Sequence, residues 1–221
     1  MNNRETIITV ANAKEITGVH YTVNHTGKMT GMQSLSTSCL DNPYCRMYAK
    51  DPEKICSKCY AERQMNCYKS MQNCLAKNTE ILTTKRLSYE EIPFLNAAMF
   101  RFESFGDIQN ETQVINYLNI CHKNPHVNFA LWTKNPAILK NVFEEIGEDK
   151  PKNLQIVLSS HYLNKQADIT PWWFVDKVFT VYTKEYAEEN KLDINCGSRQ
   201  CIACRRCYLD NDITYINELL K

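Results

Sequence analysis

Glycine is scarce, with six in 221 residues, and none of them forms a G-x-G-x-x-G or Walker arrangement, so the sequence encodes no glycine-rich phosphate cradle. No stretch approaches the roughly 18 uninterrupted apolar residues of a membrane-spanning helix. The opening Met1-Asn2-Asn3-Arg4-Glu5-Thr6-Ile7-Ile8 carries an acidic residue and lacks a signal-peptide core, which sets the expectation of a cytoplasmic protein with no membrane partner. An excess of one charge is missing too. The 26 Lys plus Arg stand against 25 Asp plus Glu, a formal charge of +1, so duplex DNA or an anionic membrane has no broad surface to grip, and only a local basic patch remains for nucleic acid. Neither G-x-S-x-G nor H-E-x-x-H occurs, and the five histidines are scattered, so no nucleophile arrangement is encoded. His161 alone sits suggestively at a strand end, where a satisfied surface or core role is the commoner one.

The chain has eleven cysteines. A chain of this length buries a core without covalent staples, and a reducing compartment disfavours disulfides, so clustered thiols point to metal or redox chemistry. Six fall between Cys39 and Cys74 and four between Cys196 and Cys207, while the about 120 residues between the runs hold only Cys121. No repeat, low-complexity tract or Pro/Gly/Ser linker separates the runs, which predicts one domain over 1–221.

Hydrophobic periodicity predicts the scaffold. Residues 19–38 read as a hairpin entering a first main strand, 39–59 as a cysteine loop, and Tyr60 to about Arg86 as one long helix with Tyr68, Met71, Leu75 and Leu82 on its stripe. Strand and helix then alternate through residue 190. Phe100–Phe105 is a strand, Glu111–Lys123 a helix and Val127–Thr133 a strand; a helix follows from Asn135-Pro136, then strands over Leu154–Leu158 and Val178–Tyr182. Ile213, Ile216 and Leu220 suggest a closing helix over 212–220. The expected fold class is α/β: a partial (βα) barrel of about five to six mostly parallel strands, with cysteine-rich loops near the N-terminus and at the C-terminus. In such sheets ligands sit at the carboxyl ends of the strands. There the sequence places Ser38-Cys39, Gly106-Asp107, Thr133-Lys134, Ser159-Ser160-His161 and Thr183-Lys184.

The terminal run Cys196, Cys201, Cys204, Cys207 has spacing CxxxxCxxCxxC. Zinc usually draws two CxxC knuckles from separate segments, whereas iterated CxxCxxC wraps the corner of a cuboidal iron-sulfur cluster, which favours a 4Fe-4S centre with zinc as the alternative. Arg199, Arg205 and Arg206 are available to offset thiolate charge. The first run centres on Cys56 and Cys59, with Cys39 and Cys45 brought in from the preceding loop, since closure entropy grows slowly with loop length. Cys67 and Cys74 lie seven apart at ordinary helix-packing spacing, and Cys121 lies on an apolar helix face; all three are expected to be core thiols.

At these residues the sequence resembles the bacteriophage gene product 88 family, whose members are similar to radical S-adenosylmethionine (radical SAM) enzymes. The resemblance rests on Ser36-Thr37-Ser38-Cys39, Cys56-Ser57-Lys58-Cys59-Tyr60-Ala61, Arg101-Phe102-Glu103-Ser104-Phe105-Gly106-Asp107, Leu131-Trp132-Thr133-Lys134 and the terminal run ending Cys207-Tyr208. It implies an iron-sulfur cluster at the mouth of a partial barrel, held by Cys39, Cys56 and Cys59, with one iron left for S-adenosylmethionine. It also implies an auxiliary cluster on the four terminal cysteines, so one or two clusters in all. Gly106, Asp107, Thr133 and Ser159 would face the cofactor, an electron donor such as a flavodoxin or ferredoxin would serve as partner, and the motifs leave the substrate unspecified. Cys39, Cys45, Cys56 and Cys59 depart from the compact CxxxCxxC of radical enzymes, and Cys45 offers a fourth thiolate that would close the open iron position. Full ligation would make electron transfer, structural support or sensing the role instead. The rival from another class is a zinc-stabilised module whose Arg-bearing C-terminal loop touches nucleic acid or protein.

Overall fold

The computed structural model describes residues 8–197 and 199–220; Met1–Ile7, most of the opening segment read above as lacking a signal-peptide core, and Ser198 within the terminal cysteine run lie outside the described residues. In chain order the elements are α1 (Val10–Thr17), β1 (Thr22–Val23), β2 (Gln33–Leu35), α2 (Pro43–Ala49), α3 (Tyr60–Cys67), α4 (Lys69–Thr84), β3 (Met99–Phe102), α5 (Glu111–Lys123), β4 (Asn128–Thr133), α6 (Pro136–Lys140), β5 (Leu154–Ser159), β6 (Lys177–Tyr182), α7 (Lys184–Glu189), α8 (Cys201–Cys204) and β7 (Tyr215–Leu219).

The strands form one mixed seven-stranded sheet in sequence order, β1-β2-β3-β4-β5-β6-β7, and it is not closed. β1 pairs antiparallel with β2, and every later pair is parallel. Parallel neighbours in sequence order, joined by right-handed crossovers, stack their helices on one face. The buried residues show that layering. Phe100, Phe102, Phe129, Leu131, Leu154 and Ile156 of the strands pack with Val114, Leu118 and Cys121 of α5 and with Leu82 of α4. The alternate positions Met99, Ala130 and Val157 face the other way, where Met32, Tyr208, Cys201 and Cys207 cover them. The C-terminal cysteine segment therefore caps the face that the helices leave bare.

Most of the expected scaffold is present. The hairpin pairs Thr22 with Ser34, α5 runs over Glu111–Lys123 with Asn110 capping it through Gln113 N at 3.0 Å, and the strands after it sit where alternation placed them. The helix after Pro136, whose sequence offers Leu139, Val142, Phe143 and Ile146 as its apolar face, buries the first three but widens into a π-type turn over Asn141–Ile146 that leaves Ile146 exposed.

Several expectations are corrected. The strand expected over Phe100–Phe105 covers only Met99–Phe102, because Glu103 turns into the left-handed region (φ 56°). The single long helix is two, broken at Tyr68 (φ −121°, ψ 95°); the break points Tyr68 to solvent and leaves Cys67 exposed and Cys74 half-buried, and of the three thiols expected in the core only Cys121 is buried. The cysteine loop itself carries α2 and a 3-10 turn over Ile55–Lys58. Residues 212–220 form strand β7, not a helix: the open edge of β6 supplies a five-residue parallel ladder from Val178↔Tyr215 to Tyr182↔Leu219, which overrides the three-to-four spacing of Ile213, Ile216 and Leu220. β7 also raises the strand count from five or six to seven. Among the described residues no helix is long and apolar enough to cross a membrane.

Candidate functional site

At the carboxyl ends of β2, β3 and β4 the backbone is held by two buried carboxyl groups. Glu103 follows β3 in the left-handed region (φ 56°), uncommon for a residue with a long side chain, and the turn directs its carboxyl inward. Glu103 Oε1 accepts from Tyr117 Oη (2.5 Å), Gln113 Nε2 (2.7 Å) and Thr37 Oγ1 (2.9 Å), and Oε2 accepts from Thr37 N (3.2 Å). Burial raises its pKa to about 7 against the pull of these donors. Gly106 fits against this group because it has no side chain: a Cβ there would lie 2.6 Å from the Thr37 carbonyl oxygen and 2.8 Å from Glu103 Oε2.

Asp107 ties β3 to β4. Its Oδ1 accepts from Thr133 Oγ1 (2.5 Å) and Ile108 N (2.8 Å), and its Oδ2 from Lys134 N (2.8 Å). Burial raises its pKa while these donors pull it down. Lys134 Nζ reaches Ser159 Oγ at 2.7 Å, so Asp107, Thr133, Lys134 and Ser159 form one polar chain across β3, β4 and β5. Beside it Tyr44 Oη donates to Lys134 O (2.5 Å) and meets His161 Nε2 at 3.0 Å. His161 is stacked on Tyr48 (4.6 Å between centroids), and burial lowers its pKa to about 4, so it is neutral at physiological pH.

The first thiol group hangs on these strand ends. Asn42 Oδ1 caps α2 by accepting from Tyr44 N (2.9 Å) and Cys45 N (3.4 Å), while its Nδ2 donates to Asp107 O (2.9 Å), which fixes Cys45 beside the β3 exit. Cys56 lies in the 3-10 turn and Cys59 is the N-cap residue of α3. Cys39 is buried against Ala61, Met65 and Leu75. Cys39 Sγ lies 3.5 Å from Met65 Sδ, and the thiols influence their neighbours: Cys39 feels Cys59 and Cys45, Cys45 feels Cys56 and Cys59, and Cys56 feels Cys59. Cys59 is the acidic member, pulled down by its pairing with Cys39 and by the backbone N–H groups of Glu62 and Ala61 at the start of α3, while the same pairing pushes Cys39 up.

The second group lies on the opposite face of the sheet from the helix layer. A cavity of about 450 Å³ is lined by Cys196, Cys201, Cys204, Cys207, Lys28 and Glu218, among others. Cys196 is held beside β7 by its N–H to Asn217 O (3.0 Å). The one-turn α8 carries Cys201 and Cys204, and Arg205 in the left-handed conformation (φ 60°) reverses the chain to return Cys207. Burial raises all three of Cys196, Cys201 and Cys207, Cys207 to about 12. Each also feels Cys204. Arg101 of β3 acts on Cys201 and Cys207 with its positive charge, stacks on Trp132 at 4.3 Å, and has a buried Nε with no partner among the described residues.

Cys196, Cys201, Cys204 and Cys207 thus line one cavity, Cys39, Cys45 and Cys59 share one packed cluster, and no disulfide joins any of the eleven cysteines. Among the described residues no set of three or more His, Cys, Asp or Glu is arranged to hold a metal ion. Sequence reasoning had not assigned Glu103, Tyr117, Lys28 or Arg101. Glu103 and Arg101 lay inside a quoted motif, whereas Lys28 and Tyr117 carry no local signal because their partners are distant in sequence. The chain matches no curated protein and no solved structure in comparisons with known proteins. The family model described as gene product 88 matches residues 2–212, which is nearly the whole chain, and the protein belongs to that family of phage gene products.

Proposed function

We propose that the protein is an iron-sulfur protein of radical S-adenosylmethionine type, built on a partial (βα) barrel. The observation that carries the reading is the cavity lined by Cys196, Cys201, Cys204 and Cys207, while Cys39, Cys45 and Cys59 pack in a second cluster at the strand ends. The barrel reading is supported by parallel strands in sequence order with their helices on one face. The partnerless Nε of Arg101 beside the second group suits a site whose remaining acceptor is inorganic sulfide. The closely iterated CxxCxxC of the terminal run suits a cuboidal cluster better than zinc. Zinc draws four sulfurs to roughly 2.3 Å from one centre, whereas a cluster binds each thiolate to a different iron.

Cys39, Cys56 and Cys59 would hold the cofactor-binding cluster, and the C-terminal four an auxiliary one. Gly106, Asp107, Thr133 and Ser159, at the exits of β3, β4 and β5, would shape the S-adenosylmethionine side of the site. When bound and reduced, such a cluster supplies the electron that cleaves the sulfonium. The contribution of this chain is to hold the strand exits through Glu103 and Asp107, and to place the Lys134 cation where it opposes the burial that raises Cys56 and adds to the lowering of Cys59. Cys45 decides between radical chemistry and simple redox, since its ligation would close the open iron.

The test is anaerobic purification with iron, sulfide and zinc analysis, followed by dithionite reduction with S-adenosylmethionine and detection of 5′-deoxyadenosine. Brown protein with matching iron and sulfide, and 5′-deoxyadenosine from the natural chain or from Cys45→Ala, is the expected result. Colourless protein holding only zinc overturns the cluster reading. Fully reconstituted protein that yields no 5′-deoxyadenosine in either form overturns the radical one. A flavodoxin or ferredoxin class donor would take the place of dithionite in the cell.

A further inference from the structure

Lys28 sits in the 3-10 turn between β1 and β2, yet its ammonium lies at the far end of the chain. Lys28 Nζ is 2.6 Å from Glu218 Oε1 of β7 and 3.5 Å from Cys196 Sγ. Nothing in the hairpin's own geometry requires this reach, and the ion pair is half-shielded, with the two side chains 28% and 16% exposed. Arg101 approaches the same thiol group from the middle of the sheet. Its charge acts on Cys201 and Cys207, and its buried Nε–H has no acceptor among the described residues. The carboxylate on this group is Glu218, which acts on Cys196.

The first thiol group has the opposite surroundings. Asp107 and Glu103 act on Cys45, and Glu62 acts on Cys39, while Lys134 and Lys54 supply the cations near Cys56. Asp107 and Glu62 there stand against two cations and Glu103 adds a carboxyl that ionises only near pH 7, whereas two cations face one carboxylate at the second group. The reduction potential of a cluster rises with neighbouring positive charge and with N–H···S hydrogen bonds, because both stabilise the added electron.

We propose that Lys28 and Arg101 make the Cys196, Cys201, Cys204, Cys207 site the higher-potential, electron-accepting member of the two. Lys28 acts through its hydrogen bond to Cys196, and Arg101 through its unshared N–H. The step is a one-electron reduction by dithionite, in which one iron passes from ferric to ferrous and no bond forms or breaks. The inference rests on the iron-sulfur reading of this site.

The experiment is a potentiometric titration of reconstituted full-length protein, followed by low-temperature electron paramagnetic resonance. The Cys56→Ala/Cys59→Ala chain serves as background so that only the C-terminal site is read. The natural chain should show that site titrating above the other. Lys28→Met should lower its midpoint so that the reduced-to-oxidised ratio at fixed potential falls tenfold, which is about 59 mV for one electron. Lys28→Arg should stay near the parent, and Glu218→Gln should shift the midpoint upward. Absence of iron and sulfide from the Cys56→Ala/Cys59→Ala background would bring down the iron-sulfur reading of the site and the inference with it. Full iron with unmoved midpoints in both Lys28→Met and Glu218→Gln, or a C-terminal site that titrates below the other, overturns the inference alone. If Lys28→Met fails to hold iron, the direction of the Glu218→Gln shift decides.

Discussion

Replacing Glu103 by glutamine should change how the stability of the protein depends on pH. The carboxyl is buried and its pKa stands at about 7 in the folded chain, against an ordinary value of 4.5. A raised carboxyl binds its proton more tightly in the folded state, so the protonated group stabilises the fold fully below the unfolded value. That contribution is lost progressively as pH rises from 4.5 to about 7. Moving a carboxyl over this range, at roughly 1.36 kcal/mol per tenfold change in proton affinity, amounts to about 3 kcal/mol. Above that window the ionised carboxylate is still held by Tyr117, Gln113 and Thr37, which is why the fold tolerates it. Glu103→Gln cannot ionise, so its stability should lack this slope. The assay is urea unfolding of both chains at half-unit steps from pH 4.5 to 8, read as the difference between them so that every other titrating group cancels. Parallel curves, or a difference that grows in favour of the natural chain with rising pH, would refute the burial argument.

Gly106→Ala should cost about 1–3 kcal/mol, because the new Cβ meets a backbone carbonyl at 2.6 Å and two side-chain oxygens within 2.8 Å; a urea midpoint unchanged from the parent would show that the turn can yield. Cys204→Ala should lose iron bound by the C-terminal group, while Cys74→Ala, half-buried on α4 away from both groups, should keep it. Equal retention by the two variants in an anaerobic iron assay would refute the ligand assignment.

How far the residues announce the site differs from group to group. The spacing of Cys196, Cys201, Cys204 and Cys207 is local, and a one-turn helix followed by a left-handed Arg205 brings those thiols together with little help from elsewhere. Cys39 and Cys45 depend on longer connections. Cys45 is placed by Asn42, whose amide binds Asp107 some 65 residues away, a contact that no spacing encodes. The polar strand ends were legible as polar, but their use was not. Asp107 and Thr133 hydrogen-bond one another, and Glu103 turns inward only because Tyr117 and Gln113 on α5 offer donors.

Periodicity within single elements determined α5, strands β4 to β6 and the first part of β3, because alternation or a 3.6-residue stripe is a property of consecutive residues facing one core. Tertiary structure decided the rest. The strand at 215–219 exists because β6 presents an unpaired edge, and Lys28 meets Glu218 because the last strand brings the end of the chain beside its first hairpin. Local sequence fixes which face of an element is apolar, whereas pairing partners and distant charges depend on which elements the folded chain sets side by side.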